Sequence, residues 1–166
     1  VAVGSLALDA NTTASNNTAV GYVAMTANTT GYSNTAVGKS ALSTLTTGNQ
    51  NVALGHNALV LATTSSDNTA VGYSALFDCT TGHSGVAVGS EALANNTTGN
   101  YNTAVGFQAL YTNTTTSWNT AVGYKAAYTY AGNEIDAFGF EALKLCTTGI
   151  RNAAFGAYTL DACTTG

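Results

Sequence analysis

The sequence predicts an all-β chain, a parallel β-solenoid of about ten 17-residue coils, and three observations carry that prediction. A glycine following two small or apolar residues recurs at Gly4, Gly21, Gly38, Gly55, Gly72, Gly89, Gly106 and Gly123, each step 17 residues long. The next step, to Gly139, is 16, and the last, to Gly156, is again 17. A unit of that length is too short for a pair of helices, and it alternates a β-favouring Thr-Ala-Val stretch with Asn and Gly turn residues.

With Asn34-Thr35-Ala36-Val37-Gly38 as positions one to five, the consensus reads N-T-A-V-G-Y-x-A-L-x-x-N-T-T-G-x-x. The chain 1–166 is then one domain, divided into coils 1–16, 17–33, 34–50, 51–67, 68–84, 85–101, 102–118, 119–134, 135–151 and 152–166. Position three is Ala in every copy, position four always Val, Leu or Phe, and position nine Leu or Met except at Ala127. The glycine at position five suits a bend or a positive φ, and Asn-Thr-Thr-Gly at positions twelve to fifteen is turn chemistry. Two short strands per coil, separated by these turns, are expected. Stacked in parallel at about 4.8 Å per rung, ten coils give a rod on the order of 48 Å long. Each coil holds too few apolar residues to form a core alone, so stability must come from its neighbours.

Composition narrows the function. The chain is 45% apolar but only 7% charged, with no proline and a net charge of −4. It has enough to bury to escape disorder. Four Lys and Arg give no basic face for phosphates, so nucleic acid is not an expected partner. There is no run of 18 apolar residues, hence no membrane-inserting helix. The chain starts and stops within a repeat (Val1 at position two, Gly166 at position fifteen), as an excerpt of a longer array would.

Positions three and four are adjacent in a strand, so their side chains face opposite ways, yet neither column is polar. A strand apolar on both faces is usually covered on both. The Ala column, Ala19, Ala36, Ala53, Ala70, Ala87, Ala104 and Ala121, is therefore expected to pack against another copy of the chain, small side chains permitting close approach. Exposed but tolerated alanines are the alternative.

The unit Asn-Thr-Ala-Val-Gly-Tyr-x-Ala-Leu, with close copies at Asn17 to Met25, Asn68 to Leu76 and Asn102 to Leu110, resembles repeats of phage tail-fibre proteins. It is also similar to the Ala-Ile-Gly repeats in the β-roll head domains of trimeric autotransporter adhesins. The resemblance spans the whole chain. It implies a left-handed parallel roll, three chains around one axis, and a place on the surface of a cell or virion.

Signs of chemistry are few, and no enzyme or cofactor is expected. Ala36-Val37-Gly38-Lys39-Ser40 imitates the end of a phosphate-binding loop, but position 33 is Ser where that motif needs Gly. His56 and His83 occupy different columns with no Cys or carboxylate column beside them, so no zinc set forms. Cys79, Cys146 and Cys163 all fall at position twelve. Cys146 and Cys163, one rung apart, lie within disulfide reach; thiols filling a small inward column are the alternative. Among six Asn-x-Thr sequons, Asn11, Asn28, Asn96 and Asn113 sit at position twelve and read as a stacked Asn ladder, leaving Asn16 and Asn95 as candidates for surface glycans.

Exposed aromatics are the most informative candidates. Column six mixes Tyr22, Tyr73, Phe107, Tyr124 and Phe140 with Lys39, His56 and Ser90, which marks it as solvent-facing. Tyr101, Phe107, Tyr111, Trp118, Tyr124, Tyr128 and Tyr130 are expected to cluster as a surface for a glycan or protein receptor; ring stacking that only stiffens the rod is the alternative. The expected function is a structural segment of an extracellular fibre, tail fibre or adhesin, displaying that surface as a homotrimer. A self-assembling, glycosylated extracellular filament is the second reading, since three residues would complete the register from Gly166 to another Val1. Ice binding is a distant third, because adjacent Thr residues face opposite ways and leave at most one per rung on a face.

Overall fold

The computed structural model describes residues 1–161 and is all-β, a parallel solenoid with no helix among the described residues. Ten strands stack in chain order into one parallel sheet. They are β1 (Ala2–Val3), β2 (Thr18–Val20), β3 (Thr35–Val37), β4 (Val52–Leu54), β5 (Thr69–Val71), β6 (Val86–Val88), β7 (Thr103–Val105), β8 (Thr120–Val122), β9 (Asp136–Phe138) and β10 (Ala153–Phe155). The register repeats on every rung: Ala19 over Ala36 over Ala53, Val20 over Val37 over Leu54. It passes through the shortened eighth coil unchanged, with Ala121 over Ala137 and Val122 over Phe138.

Each coil contains one strand, not the two expected from the sequence. The rest of the coil is a series of turns that nevertheless bond from rung to rung. In the third coil the Ser40 N–H donates to the Tyr22 carbonyl at 2.9 Å, Leu42 N–H to Ala58 at 3.1 Å, and Thr46 N–H to Thr63 at 2.9 Å. The reason is backbone shape. Positions seven, nine and seventeen are left-handed in coil after coil, as at Ser40 (φ 58°), Leu42 (φ 51°) and Gln50 (φ 58°). Each such residue costs roughly 1 kcal/mol, and it aims N–H and C=O groups along the stack instead of along a strand. Position five is stricter. Gly72 has φ +136°, and a Cβ there would lie 2.5 Å from the Gly89 carbonyl oxygen of the next rung. Glycine is required twice over, by conformation and by space.

The Ala column is a correction. Ala19, Ala36, Ala53, Ala70, Ala87, Ala104 and Ala121 point into the coil's own interior and are completely buried within the single chain, so they are not available to pack subunits. The outward column is position four, where Val37, Leu54 and Val88 remain over a third exposed. The cause is the width of a 17-residue turn. Leu42, Leu59, Leu76, Leu93 and Leu110, with the position-eight alanines, already fill the narrow interior. Only a methyl group fits opposite them without overpacking.

Two asparagine columns fasten the turns. At position one, Asn34 donates from Nδ2 to the Gly48 carbonyl of its own coil at 2.9 Å and accepts the Asn51 N–H of the next at 2.9 Å. The expected ladder at position twelve is also present, with Asn28 Nδ2 donating to Asn11 Oδ1 of the adjacent coil at 3.3 Å, but it works mainly within the coil. Asn28 and Asn96 each donate to the carbonyl three residues on, Gly31 and Gly99, at 3.0 Å, and Asn113 is fully buried beside them in the same column. The threonines of position thirteen add a hydroxyl column, with Thr46 Oγ1 donating to Thr63 O at 3.0 Å.

Candidate ligand-binding surface

In coils seven to nine the stack turns aromatics of one column into a row of rings about a rung apart. In column six, Phe107 stacks on Tyr124 at 5.4 Å and Tyr124 on Phe140 at 5.0 Å, nearly parallel at 16° and 11°. In column ten, Tyr111 stacks on Tyr128 at 5.2 Å and 5°. Lys125, at position seven, bridges the two rows: its Nζ lies 5.5 Å from the Tyr124 ring and 5.2 Å from that of Tyr128. Columns six and ten thus flank one strip of surface, held together by cation–π attraction.

Tyr101 and Trp118, at position seventeen, form a second stack at 6.1 Å, and His83 meets Tyr101 edge-on at 5.2 Å. Their ring contacts are with each other and with His83, so the expected single cluster is two groups. Both rings of this pair are at least half exposed.

Tyr130 is a second correction. It is fully buried, because position twelve points inward, and it cannot belong to a surface. Its hydroxyl donates to the carbonyls of Gly149 and Asn133. Room for the ring comes from Ala127, which replaces the leucine of position nine in this coil alone. Gly132 completes the fit, since a Cβ there would meet the Tyr130 hydroxyl at 2.5 Å. The short eighth coil is a repacked interior.

A cavity of about 300 Å³ opens where the rings are interrupted. Coil six carries Ser90 and Ala94 at the two ring positions, while coil five has Tyr73 and Phe77 and coil seven has Phe107 and Tyr111. Phe77 and Tyr111 line the cavity from the flanking coils, with Ala94 between them. Asp78, Glu91 and Asn95 add polar groups to its lining, and Ser74, nearly buried, contributes a hydroxyl-bearing side chain. Gln108 Nε2 donates to Glu91 Oε2 at 2.6 Å, which ties one oxygen of that carboxylate and leaves the other to the cavity. Single-residue reading missed this place, because its signal is a pair of small side chains, Ser90 and Ala94, between coils that carry rings in the same two columns.

The remaining sequence candidates are scattered. Asn16 is exposed and left-handed (φ 61°), whereas Asn95 is half-buried at the cavity. Cys146 is buried, and Cys163 lies outside the described residues, as does any pairing of the two. Burial pushes the Cys79 thiol up to about 11, and its S–H donates to the Gly82 carbonyl. His56 packs edge-on against Tyr73 at 5.6 Å. Among the described residues no three His, Cys, Asp or Glu side chains gather as metal ligands, and no helix is long and apolar enough to cross a membrane. Comparison of the chain with protein-family models, with curated proteins and with solved structures found no match.

Proposed function

We propose that the chain is a non-enzymatic, stiff segment of an extracellular fibre, with copies packed side by side and aromatic columns turned toward a receptor or surface glycan. The observation that carries this reading is the outward face of the sheet. Val3, Val20, Val37, Leu54, Val71, Val88, Val105, Val122, Phe138 and Phe155 form one apolar column along the rod. The flanking outward column at position two carries a single charged side chain, Asp136, in the whole stack. A continuous uncharged stripe of this kind fits a second copy of itself, repeated at the same rung spacing. Three copies around one axis follow from the likeness to adhesin heads, and threefold display would multiply a weak ring-stacking affinity.

Light scattering tests the packing. The chain is expected to have the mass of a small oligomer at micromolar concentration. Val71→Asp with Val88→Asp should reduce it to a monomer with an unchanged circular dichroism spectrum, because both side chains are outward. A monomeric parent chain would remove the reading. A mass that climbs without limit would replace it with the self-assembling filament.

A further inference from the structure

We infer that the cavity at coil six is a binding slot for one neutral pyranose ring, held between Phe77 and Tyr111. The inference deepens the aromatic-surface reading and rests on it, but it does not need the copies to associate.

The geometry of the slot comes from the rung spacing. Adjacent rings in column ten stack at 5.2 Å, as Tyr111 and Tyr128 do. Phe77 and Tyr111 are two rungs apart with Ala94 between them, which separates them by about 10 Å. A ring inserted midway lies about 5 Å from each wall, inside the range where ring faces attract. Ala94 is almost fully buried, so it forms the floor, and the gap is open outward. The same coil has Ser90 in place of a ring in column six. Both small side chains fall on one coil.

The lining chooses the ligand. Two walls one ring apart accept a flat body with apolar faces, which the C–H faces of a pyranose provide. Asp78 and Glu91 are carboxylates that only accept hydrogen bonds, so they require a ligand rich in donors. Hydroxyls around a sugar ring supply them. Asn95 and Ser74 can both donate and accept, which matches hydroxyls in their second role. An acidic sugar is disfavoured by the two carboxylates, since the Lys125 ammonium sits over Phe107, Tyr124 and Tyr128, and no basic residue lines the slot. A cation would prefer rings on several sides at once; Tyr73 adds a third ring to the lining beside Phe77 and Tyr111, so choline is the comparator that separates the two ligand classes.

Saturation-transfer NMR with the methyl pyranosides of glucose, galactose and mannose tests the assignment, with methyl sialoside and choline as comparators. At least one neutral pyranoside should give transfer and the sialoside none. Ala94→Tyr fills the slot with the side chain that Tyr111 and Tyr128 already carry in that column, so the coil should fold as before and binding should fall at least tenfold. Glu91→Gln should weaken binding severalfold without changing the circular dichroism spectrum. Equal pyranoside binding by Ala94→Tyr and parent would overturn the slot. If Tyr124→Ala abolished that binding instead, the wider aromatic surface would stand and the slot alone would fall. Transfer to choline with none to the pyranosides, or no transfer at all, would also overturn it.

Discussion

Coil six and coil eight both depart from their neighbours, one mainly on the outside and one on the inside. Coil six carries Ser90 and Ala94 where the flanking coils carry rings, and its one inward change, Gly85 for the position-one asparagine, leaves Ala87, Ala92 and Leu93 as buried as their counterparts. Coil eight gives up the leucine at Ala127, and two further changes accompany it. Tyr130 fills the inward position twelve, its hydroxyl lying where a Cβ on the position-fifteen Gly132 would clash, and one residue is lost. The strand register survives both. An outward column can change freely and acquire a recognition feature. Inward columns tolerate change by size: position twelve takes Leu45, Ala62, Cys79 or Asn96 in coils that keep the position-nine leucine, whereas the larger Tyr130 coincides with the loss of that leucine, because the interior is close-packed.

Several substitutions can break or sharpen that contrast. Tyr130→Ala leaves a cavity where Ala127 can no longer be compensated, and should cost about 3–5 kcal/mol in denaturant unfolding. Ala127→Leu, restoring the consensus residue against an unchanged Tyr130, should overpack the coil and cost about 1–3 kcal/mol. Adding Tyr130→Asn to it should recover most of that loss. A simple sum of the two single effects would show that Ala127 and Tyr130 are not a compensating pair.

Cys79 tests the same inward column by titration. Its thiol ionises near 9.0 when freely solvated and at about 11 in the fold. The folded state therefore holds its proton longer, and stability present below pH 9 falls as pH rises toward 11. The loss should reach about 2–3 kcal/mol and be absent from Cys79→Ala, with the tyrosines common to both as a control. Equal alkaline slopes would mean that the column is open to water. On the outward side, Ala94→Tyr should move stability by no more than about 0.5 kcal/mol. A larger change would place coil six under the same packing constraint as coil eight.

Much of this was legible in the residues. The period fixed the register, and the register fixed which rings stack, down to Tyr111 on Tyr128. The orientation of the strand was not. Columns three and four are both apolar, so alternation says that they face apart without saying which faces in, and only the narrowness of the turn excludes Val from the interior. Left-handed residues such as Leu42, Leu76 and Glu91 were equally hidden, because that conformation is normally signalled by Gly or Asn. They replace the expected second strand. For the functional surface, the aromatics expected as one cluster form two groups, and Tyr130 lies on the inner side. The slot came from reading aromatics as missing, which requires the columns to be aligned first.

The glycine column at position five has a consequence for the length of the rod. Since Gly72 presents bare backbone to Gly89, and Gly89 in turn to Gly106, the seam between any two storeys is the same seam. Removing a stretch such as 34–50 would bring surfaces together that are already built to meet, and inserting one would do no more. Such a molecule can be lengthened or shortened in whole modules by unequal recombination, the backbone seam being kept at each junction and adjustment confined to variable inward sites such as position twelve.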